Sequence, residues 1–528
     1  MKRAYRMVSI LLVVVMAVLL TLNIATAQDE RTLVIGYAEE TDFLDPAHGF
    51  TPDGSIVLRA TYDTLVTFPD ADASEVLPLL ASSWTVSDDA LTYTFTLRDD
   101  VTFANGDSLS SEDVVFSINR LKNVKGNPSF LSELITGVEA IDDLTVAFTI
   151  NEPRPDFLTN LANTAFSISN AEVVMANGGT DAEDAAETDT AEGYLNNTSA
   201  GTGPYVLDSW SPQDEVVLVR NENYWDEQPY FDRIIMVNIP ESATQQVALE
   251  SGDIDIALDL TTEQIATMEG NEAFGIFQGP GKDTHFLLMN QDEEIGGPMS
   301  DPLVQLAVRY ALDYEGYRAL WGGVTPGTNL TVGLLGAYGE DKAFTRDVDR
   351  ARELLTEAGY PDGIDVTLSY PDFTNEGVDM NINAQKIQAD LAEVGINVTL
   401  NPGEVQVALE TYRTGQDGFS YWFWRPDILD PLDVLSFLPE GKVGGERANW
   451  HDADADQEII DLRDQAKVES DSDARVALFA QIQDYLQQSG PWAPFNVPPT
   501  KKAFQSNIEG FVWHPQWQLD VALLSRAE

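Results

Sequence analysis

Apolar positions along this chain recur at period two in some stretches and near 3.6 in others, which predicts strands interleaved with helices. Thr32–Tyr37 (TLVIGY) reads as a short buried strand. Leu91, Tyr93, Phe95 and Leu97 share one face of a half-buried strand whose other face is threonine. Ser110-Ser-Glu-Asp113 matches a capping box, and Val114, Ile118 and Leu121 follow at helical spacing. Leu144, Val146, Phe148 and Ile150 alternate again, and strand-like runs return at Val216–Arg220 and Ile234–Ile239. Between Gly178 and Gly193 an acidic, Ala/Thr-rich stretch lacks any apolar period and reads as a solvated loop.

Asp301-Pro302 supplies an N-cap and a first-turn proline for a helix carrying Leu303, Ala307, Tyr310 and Ala311 inward. Arg350–Ala358 is a helix stopped by Gly359; Ile364, Val366 and Leu368 then alternate as a strand. Ala384–Val394 is helical up to Gly395, and Ile396, Val398 and Leu400 alternate once more. Strand, helix and strand of these lengths make a βαβ crossover, hence parallel strands and an α/β lobe. A charge-rich helix over about Asp461–Gln487 precedes a Pro/Trp-rich closing segment.

The N-terminal residues stand apart from this pattern. Lys2, Arg3 and Arg6 precede an apolar run from Val8 to Leu20, and Ala25-Thr-Ala27 offers small residues for cleavage. Residues 1–27 therefore read as a secretory signal peptide, too short in its apolar part for a spanning helix. The expected location is periplasmic or extracellular. With no cysteine in the chain, neither disulfides nor a lipid anchor on cysteine is expected. Against 30 Lys and Arg stand 87 Asp and Glu, a formal net charge of −57. Such a surface favours solubility and repels nucleic acid and anionic lipid. The 43% of hydrophobic residues suffices for a large core, and the length calls for two or three lobes.

Local catalytic signatures are missing from the sequence. None of the four histidines, His48, His285, His451 and His514, sits in HExxH, so each reads as a core or surface residue. There is no GxSxG. Gly279-Pro-Gly-Lys282 has the wrong glycine spacing for a phosphate loop, and Asp283 stands where its Ser or Thr belongs. Asp452, Asp454 and Asp456 alternate like a calcium loop, but Gln457 replaces the glycine and Arg463 the bidentate acid. No enzyme activity, cofactor or metal is expected.

Several segments in register resemble the peptide/nickel class of ABC-transporter solute-binding proteins. They include Thr41-Asp-Phe-Leu-Asp-Pro46, Leu77-Pro-Leu-Leu-Ala-Ser-Ser-Trp84 and Asn105-Gly-Asp-Ser-Leu-Ser-Ser-Glu-Asp-Val-Val-Phe-Ser117. Gly201-Thr-Gly-Pro-Tyr205, Arg220-Asn-Glu-Asn-Tyr-Trp225, Leu249-Glu-Ser-Gly-Asp-Ile-Asp255 and Val308-Arg-Tyr-Ala-Leu-Asp313 continue the likeness. The resemblance implies an α/β, two-lobed periplasmic-binding-protein-like hinge fold with an extra α+β subdomain. By this likeness lobe I takes 28–70, 200–279 and 500–528, the subdomain 71–199, and lobe II 280–499. It further implies a monomeric receptor that closes on a small-molecule ligand, a short peptide, and delivers it to a membrane permease and ATPase. An oligosaccharide or a nickel chelate is the alternative cargo within this class; a secreted hydrolase is the alternative outside it.

Tyr421-Trp-Phe-Trp-Arg-Pro-Asp427 carries the expected ligand contacts. Peptide-binding members of the class are similar in a Trp-x-x-Asp arrangement, matched here by Trp424 and Asp427, and their aspartate holds the ligand's α-ammonium. Tyr421, Trp422, Phe423 and Trp424 would lend backbone groups to an extended peptide. Successive rings point to alternating faces, so at least one belongs to the core. Arg425 either meets a ligand carboxylate or pairs with Asp427, and Asp430-Pro431 reads as a turn.

Overall fold

The apolar run Thr32–Tyr37 is a strand in the interior of a seven-stranded sheet. A computed structural model of the protein describes residues 31–38, 41–70, 75–375 and 377–527; the expected signal peptide lies outside them. The sheet order is Phe274–Gly279, Thr500–Gln505, Ile256–Ala257, Thr32–Tyr37, Arg233–Asn238, Glu215–Arg220, Tyr205–Ser211. Thr32–Tyr37 runs parallel to both of its neighbours. A second, five-stranded sheet has the order Ile396–Gly403, Ile364–Pro371, Phe419–Trp424, Thr284–Met289, Trp492–Asn496. Its first two strands pair parallel over eight residues across the helix Met380–Ala392, the crossover that the alternating pattern predicts. Gly359, at φ +90°, ends the preceding helix Val348–Glu357 in a conformation that side chains rarely adopt.

Residues 81–150 form a separate four-stranded antiparallel sheet, Ala81–Val86, Thr92–Leu97, Thr145–Ile150 and Ile135–Asp142. Tyr93, Phe95 and Leu97 bury the apolar face of its second strand. The helix Ser111–Val124 covers this sheet, its start fixed by the Asp113 carboxylate, which accepts from both Ser110 N–H and Oγ–H.

The two large sheets exchange chain at only two places. Phe274–Gly279 pairs with Thr500–Gln505 in the first sheet, and Thr284–Met289 pairs with Trp492–Asn496 in the second. Residues 280–283 and 497–499 thus cross side by side. Gly281 is needed here, since a Cβ at this position would stand 1.6 Å from the Pro498 carbonyl oxygen. Gly279-Pro-Gly-Lys282, which fails as a phosphate loop, is therefore one of the two crossings.

Two expectations need correction. The 178–193 stretch is more than a solvated loop: it includes short helices at Ala185–Thr188 and Glu192–Leu195 with Ala185, Ala191 and Leu195 buried. Asp189 in this stretch meets the buried Arg120 guanidinium at 2.8 Å, and Asp45 meets it at 2.7 and 2.6 Å. A period search cannot register an acidic segment held by a buried counter-ion. The charge-rich C-terminal helix is in fact two, Gln457–Val468 and Ser472–Gln488, because Asp471 caps the second through the Ala474 N–H.

Buried polar groups are chained together. In the second sheet's core Trp321 Nε1 donates to Asn383 Oδ1, Asn383 Nδ2 to the Tyr421 hydroxyl, and that hydroxyl lies 2.6 Å from His285 Nδ1. Burial pushes the His285 imidazole down to about 4, against the opposing pull of Asp283. Among the other histidines, His48 meets Asp45, His451 meets Glu440 at the surface, and His514 stacks on Trp517.

Two stability predictions follow from these groups. Arg120→Met leaves Asp189 buried without its cation and Asp45 with only His48, and lowers the unfolding free energy by about 3–5 kcal/mol, read by urea titration at pH 7. Burial alone would lift the Asp45 carboxyl, but Arg120 and His48 outweigh it and hold it well below the usual range. Its contribution is therefore complete above the unfolded value of about 4 and fades on acidification. His285 works in the same sense but at higher pH, because the unfolded chain takes up a proton near pH 6.5 that the folded chain refuses. Stability should fall between pH 7 and 5 by about 2 kcal/mol more in the parent than in His285→Gln. Parallel pH profiles for the two proteins would contradict a neutral buried imidazole.

Candidate ligand-binding site

The strand Phe419–Trp424 runs through the second sheet between Thr284–Met289 and Ile364–Pro371. Against Thr284–Met289 it pairs along its whole length, Phe419 with Met289 through Trp424 with Thr284. Against Ile364–Pro371 the register reaches only Ser369↔Ser420. Past this bridge no register forms between Tyr421–Trp424 and Ile364–Pro371, and among the described residues no other strand pairs with them on this side.

Alternation sorts the four rings. Tyr421 is fully buried in the core that also holds Phe495 and Ile387. Trp422 stacks on Tyr412 with ring centroids 4.3 Å apart, and Trp424 meets Phe437 edge-on, both in the opposite core. Phe423, half-buried, lies near His285 and Phe373. Three of the four rings thus serve the core, where alternation alone required at least one. The period-two pleat dictates it, since both faces of this strand are covered.

Arg425 does not pair with Asp427. Its guanidinium makes a two-point contact with the buried Asp283, Nε to Oδ1 at 2.7 Å and Nη2 to Oδ2 at 2.9 Å. Asn375 Nδ2 also donates to Asp283, at 2.9 Å. Burial would raise the Asp283 carboxyl, but Arg425 overrides this and holds it low. The pair ties the end of the site strand to the chain crossing at residue 283.

Asp427 is fixed by its backbone. Its N–H donates to Asp433 Oδ1 at 3.0 Å, and the Trp424 indole N–H donates to Asp433 Oδ2 at 2.7 Å. Burial raises Asp433 well above the usual carboxylate range, and the neighbouring Asp427 charge adds to the rise. The Asp427 carbonyl accepts from Asn163 Nδ2 at 3.4 Å. Asn163 belongs to the unit built on the four-stranded sheet, and Leu429 with Ile428 packs into that unit's core. The Asp427 carboxylate, with its side chain 21% exposed, meets Lys442 Nζ at 3.2 Å. Lys442 in turn lies 4.3 Å from the centroid of the Phe130 ring. Asp430 caps the turn Pro431–Phe437 through Leu432 N–H and is paired with Arg475, so it is a buried structural residue.

An exposed-side carboxylate on a braced loop, with an alkylammonium already against it, is chemically a seat for a primary amine. Sequence reasoning finds Asp427 but misses Asp433, Asp283, Asn163 and Lys442. The first lies in the same turn, yet nothing in Asp430-Pro-Leu-Asp433 distinguishes a brace from a surface acid. The others come from distant segments.

Comparison with known proteins gives the same picture at the level of the whole chain. The family described as "Bacterial extracellular solute-binding proteins, family 5 Middle" matches residues 75–445. The probable D,D-dipeptide-binding periplasmic protein DdpA of Escherichia coli K12 is 28% identical over 92% of each chain. Di/tripeptide-binding protein 2 of Pseudomonas aeruginosa is 27% identical, over 92% of this chain and 93% of its own. The periplasmic binding protein DppA of Helicobacter pylori, solved with the peptide STSA, superposes with a TM-score of 0.78 at 26% identity, covering 95% of this chain and 99% of that one. The α/β two-lobed architecture is therefore shared with solved binding proteins, and the chain belongs to the bacterial extracellular solute-binding proteins of family 5.

Proposed function

We propose that this protein is the extracytoplasmic substrate-binding component of an ABC importer, which captures short peptides in the cleft between its lobes and hands them to a membrane permease and its ATPase. The lobes are 28–70 with 200–279 and 500–528, and 280–499, with residues 71–199 as the added subdomain. The protein acts as a monomer, is exported by a cleavable signal peptide and makes or breaks no bond in its ligand. The observation that carries this reading is the Asp427 carboxylate, braced by Asp433 and bonded to an alkylammonium of its own chain. A peptide's α-ammonium is the same chemical group and takes the same seat. The strand edge of Tyr421–Trp424, unpaired with any other described strand beyond Ser369↔Ser420, suits main-chain hydrogen bonds to an extended peptide. The relatives that bind di- and tripeptides by name support the same cargo. An oligosaccharide would need rings to stack on, and Tyr421, Trp422 and Trp424 are committed to the core.

Closure follows from the two crossings. Only residues 280–283 and 497–499 connect the sheets, so bending there changes few contacts, and a ligand that touches both lobes shifts the population towards the shut form. Asp427 and Leu429 lie where lobe II meets the subdomain, so a peptide held at Asp427 is contacted by both parts.

Asp427→Ala should weaken a dipeptide with a free amino terminus by about 2–5 kcal/mol, thirtyfold or more, while changing the already weak binding of its N-acetylated form little. Titration calorimetry measures both. Equal losses for the two ligands would remove Asp427 as the ammonium seat, and a protein whose melting temperature responds to no di- or tripeptide would overturn the peptide reading.

A further inference from the structure

Of the buried arginines, Arg120, Arg463 and Arg475 each meet a carboxylate. Arg309 does not, but its guanidinium donates to main-chain carbonyls, Trp492 O at 2.5 Å and those of Gln487, Ser489 and Gly490. Arg447 has neither solution. It is 7% exposed, its Nε is buried without a hydrogen-bond partner, and among the described residues no carboxylate comes within ion-pair distance of it. Its guanidinium lies over two rings, 4.7 Å from the Tyr412 centroid and 5.6 Å from that of Trp424. In a chain with 87 acids to 30 bases, a buried cation with only two rings and the Tyr412 hydroxyl beside it, and no carboxylate, is conspicuous.

The same Trp424 ring has a second cation beside it, Lys442 Nζ at 5.9 Å. Lys442 is the residue bonded to Asp427. When a ligand ammonium takes Asp427, Lys442 loses its only carboxylate among the described residues, and this loss offsets part of the gain. The offset disappears when the ligand brings an anion of its own for Lys442 and Arg447. A guanidinium fork beside an ammonium suits a carboxylate.

We propose that Lys442 and Arg447 form a carboxylate subsite next to the Asp427 ammonium seat, so that the preferred peptides carry an acidic group on their first residue. This rests on the peptide reading above. In the free protein Asp427 pairs with Lys442; in the complex Asp427 pairs with the ligand ammonium, and Lys442 with Arg447 takes the ligand carboxylate. The chemistry admits either a side-chain carboxylate on an α-linked Asp or Glu, or the free α-carboxylate of a γ-linked glutamyl residue.

The test is calorimetric titration of the protein with Glu-Ala, γ-Glu-Ala, Gln-Ala and Ala-Ala at low salt. At least one acidic-headed peptide should bind about tenfold tighter or more than Gln-Ala, whose first residue matches in size but lacks the charge. The comparison of Glu-Ala with γ-Glu-Ala identifies which carboxylate is read. In Arg447→Met the ratio of Gln-Ala to acidic-peptide dissociation constants should fall towards one, and Arg447→Lys should restore part of it. Lys442→Met should lower the same ratio and tighten Ala-Ala, because the internal competitor for Asp427 is gone. Circular dichroism and melting curves establish that each variant is folded, and the ratio is insensitive to any uniform loss. Binding of all four peptides with equal affinity would overturn the carboxylate subsite and leave the peptide receptor standing. A ratio that persists in both Met variants would likewise refute the assignment to these two residues. No binding of any of the four would overturn the peptide reading and this proposal with it.

Discussion

The two adjacent chain crossings at residues 280–283 and 497–499 are the constraint from which the rest of the architecture follows. The strands that leave the first sheet as a pair enter the second as a pair, so the two halves are joined by a narrow double ribbon. Gly281 lets the ribbons approach to a distance that no side chain allows. The two sheets have separate apolar cores, and the main chain passes between them only through this ribbon. The site loop is anchored to this same ribbon, because Arg425 reaches back to Asp283. Movement at the crossing and the position of Asp427 are thus mechanically connected through one buried ion pair.

Around that anchor the site is an exercise in carboxylate environments. Asp283 is buried and charged, held so by a two-point guanidinium contact. Asp433 is buried and pushed towards neutrality, and still accepts two N–H groups that set the loop. Asp427 alone is partly open to solvent and carries a partner that a ligand amine can replace. Three aspartates within one short region have three roles because burial and partner differ, although their side chains are chemically identical.

The strongly acidic composition puts each interior cation in relief. Most buried guanidiniums consume aspartates, as Arg120 does with Asp45 and Asp189 and Arg463 does with Asp452. In the latter pair Arg463, standing where a calcium loop needs an acid, takes the first carboxylate of the alternating Asp452, Asp454 and Asp456. Arg447, over the same Trp424 ring that Lys442 approaches, departs from this economy.

The local elements were legible in the sequence because their signals are local. Period-two runs became Thr92–Leu97 and Thr145–Ile150, and the glycine-stopped βαβ unit formed as read, whereas Asp427 was singled out only through the family resemblance. Alternation tells that Tyr421 and Trp422 point opposite ways but not that both sides are filled; only the covering helices and loops decide that. Ion pairing is beyond any periodic signal. Arg425 lies two residues from Asp427 in sequence yet pairs with Asp283, 142 residues away, and Asp427 takes Lys442 from the next loop. Backbone periodicity depends on neighbours along the chain, whereas the choice of counter-ion depends on which groups are desolvated together, and that is set by the topology alone.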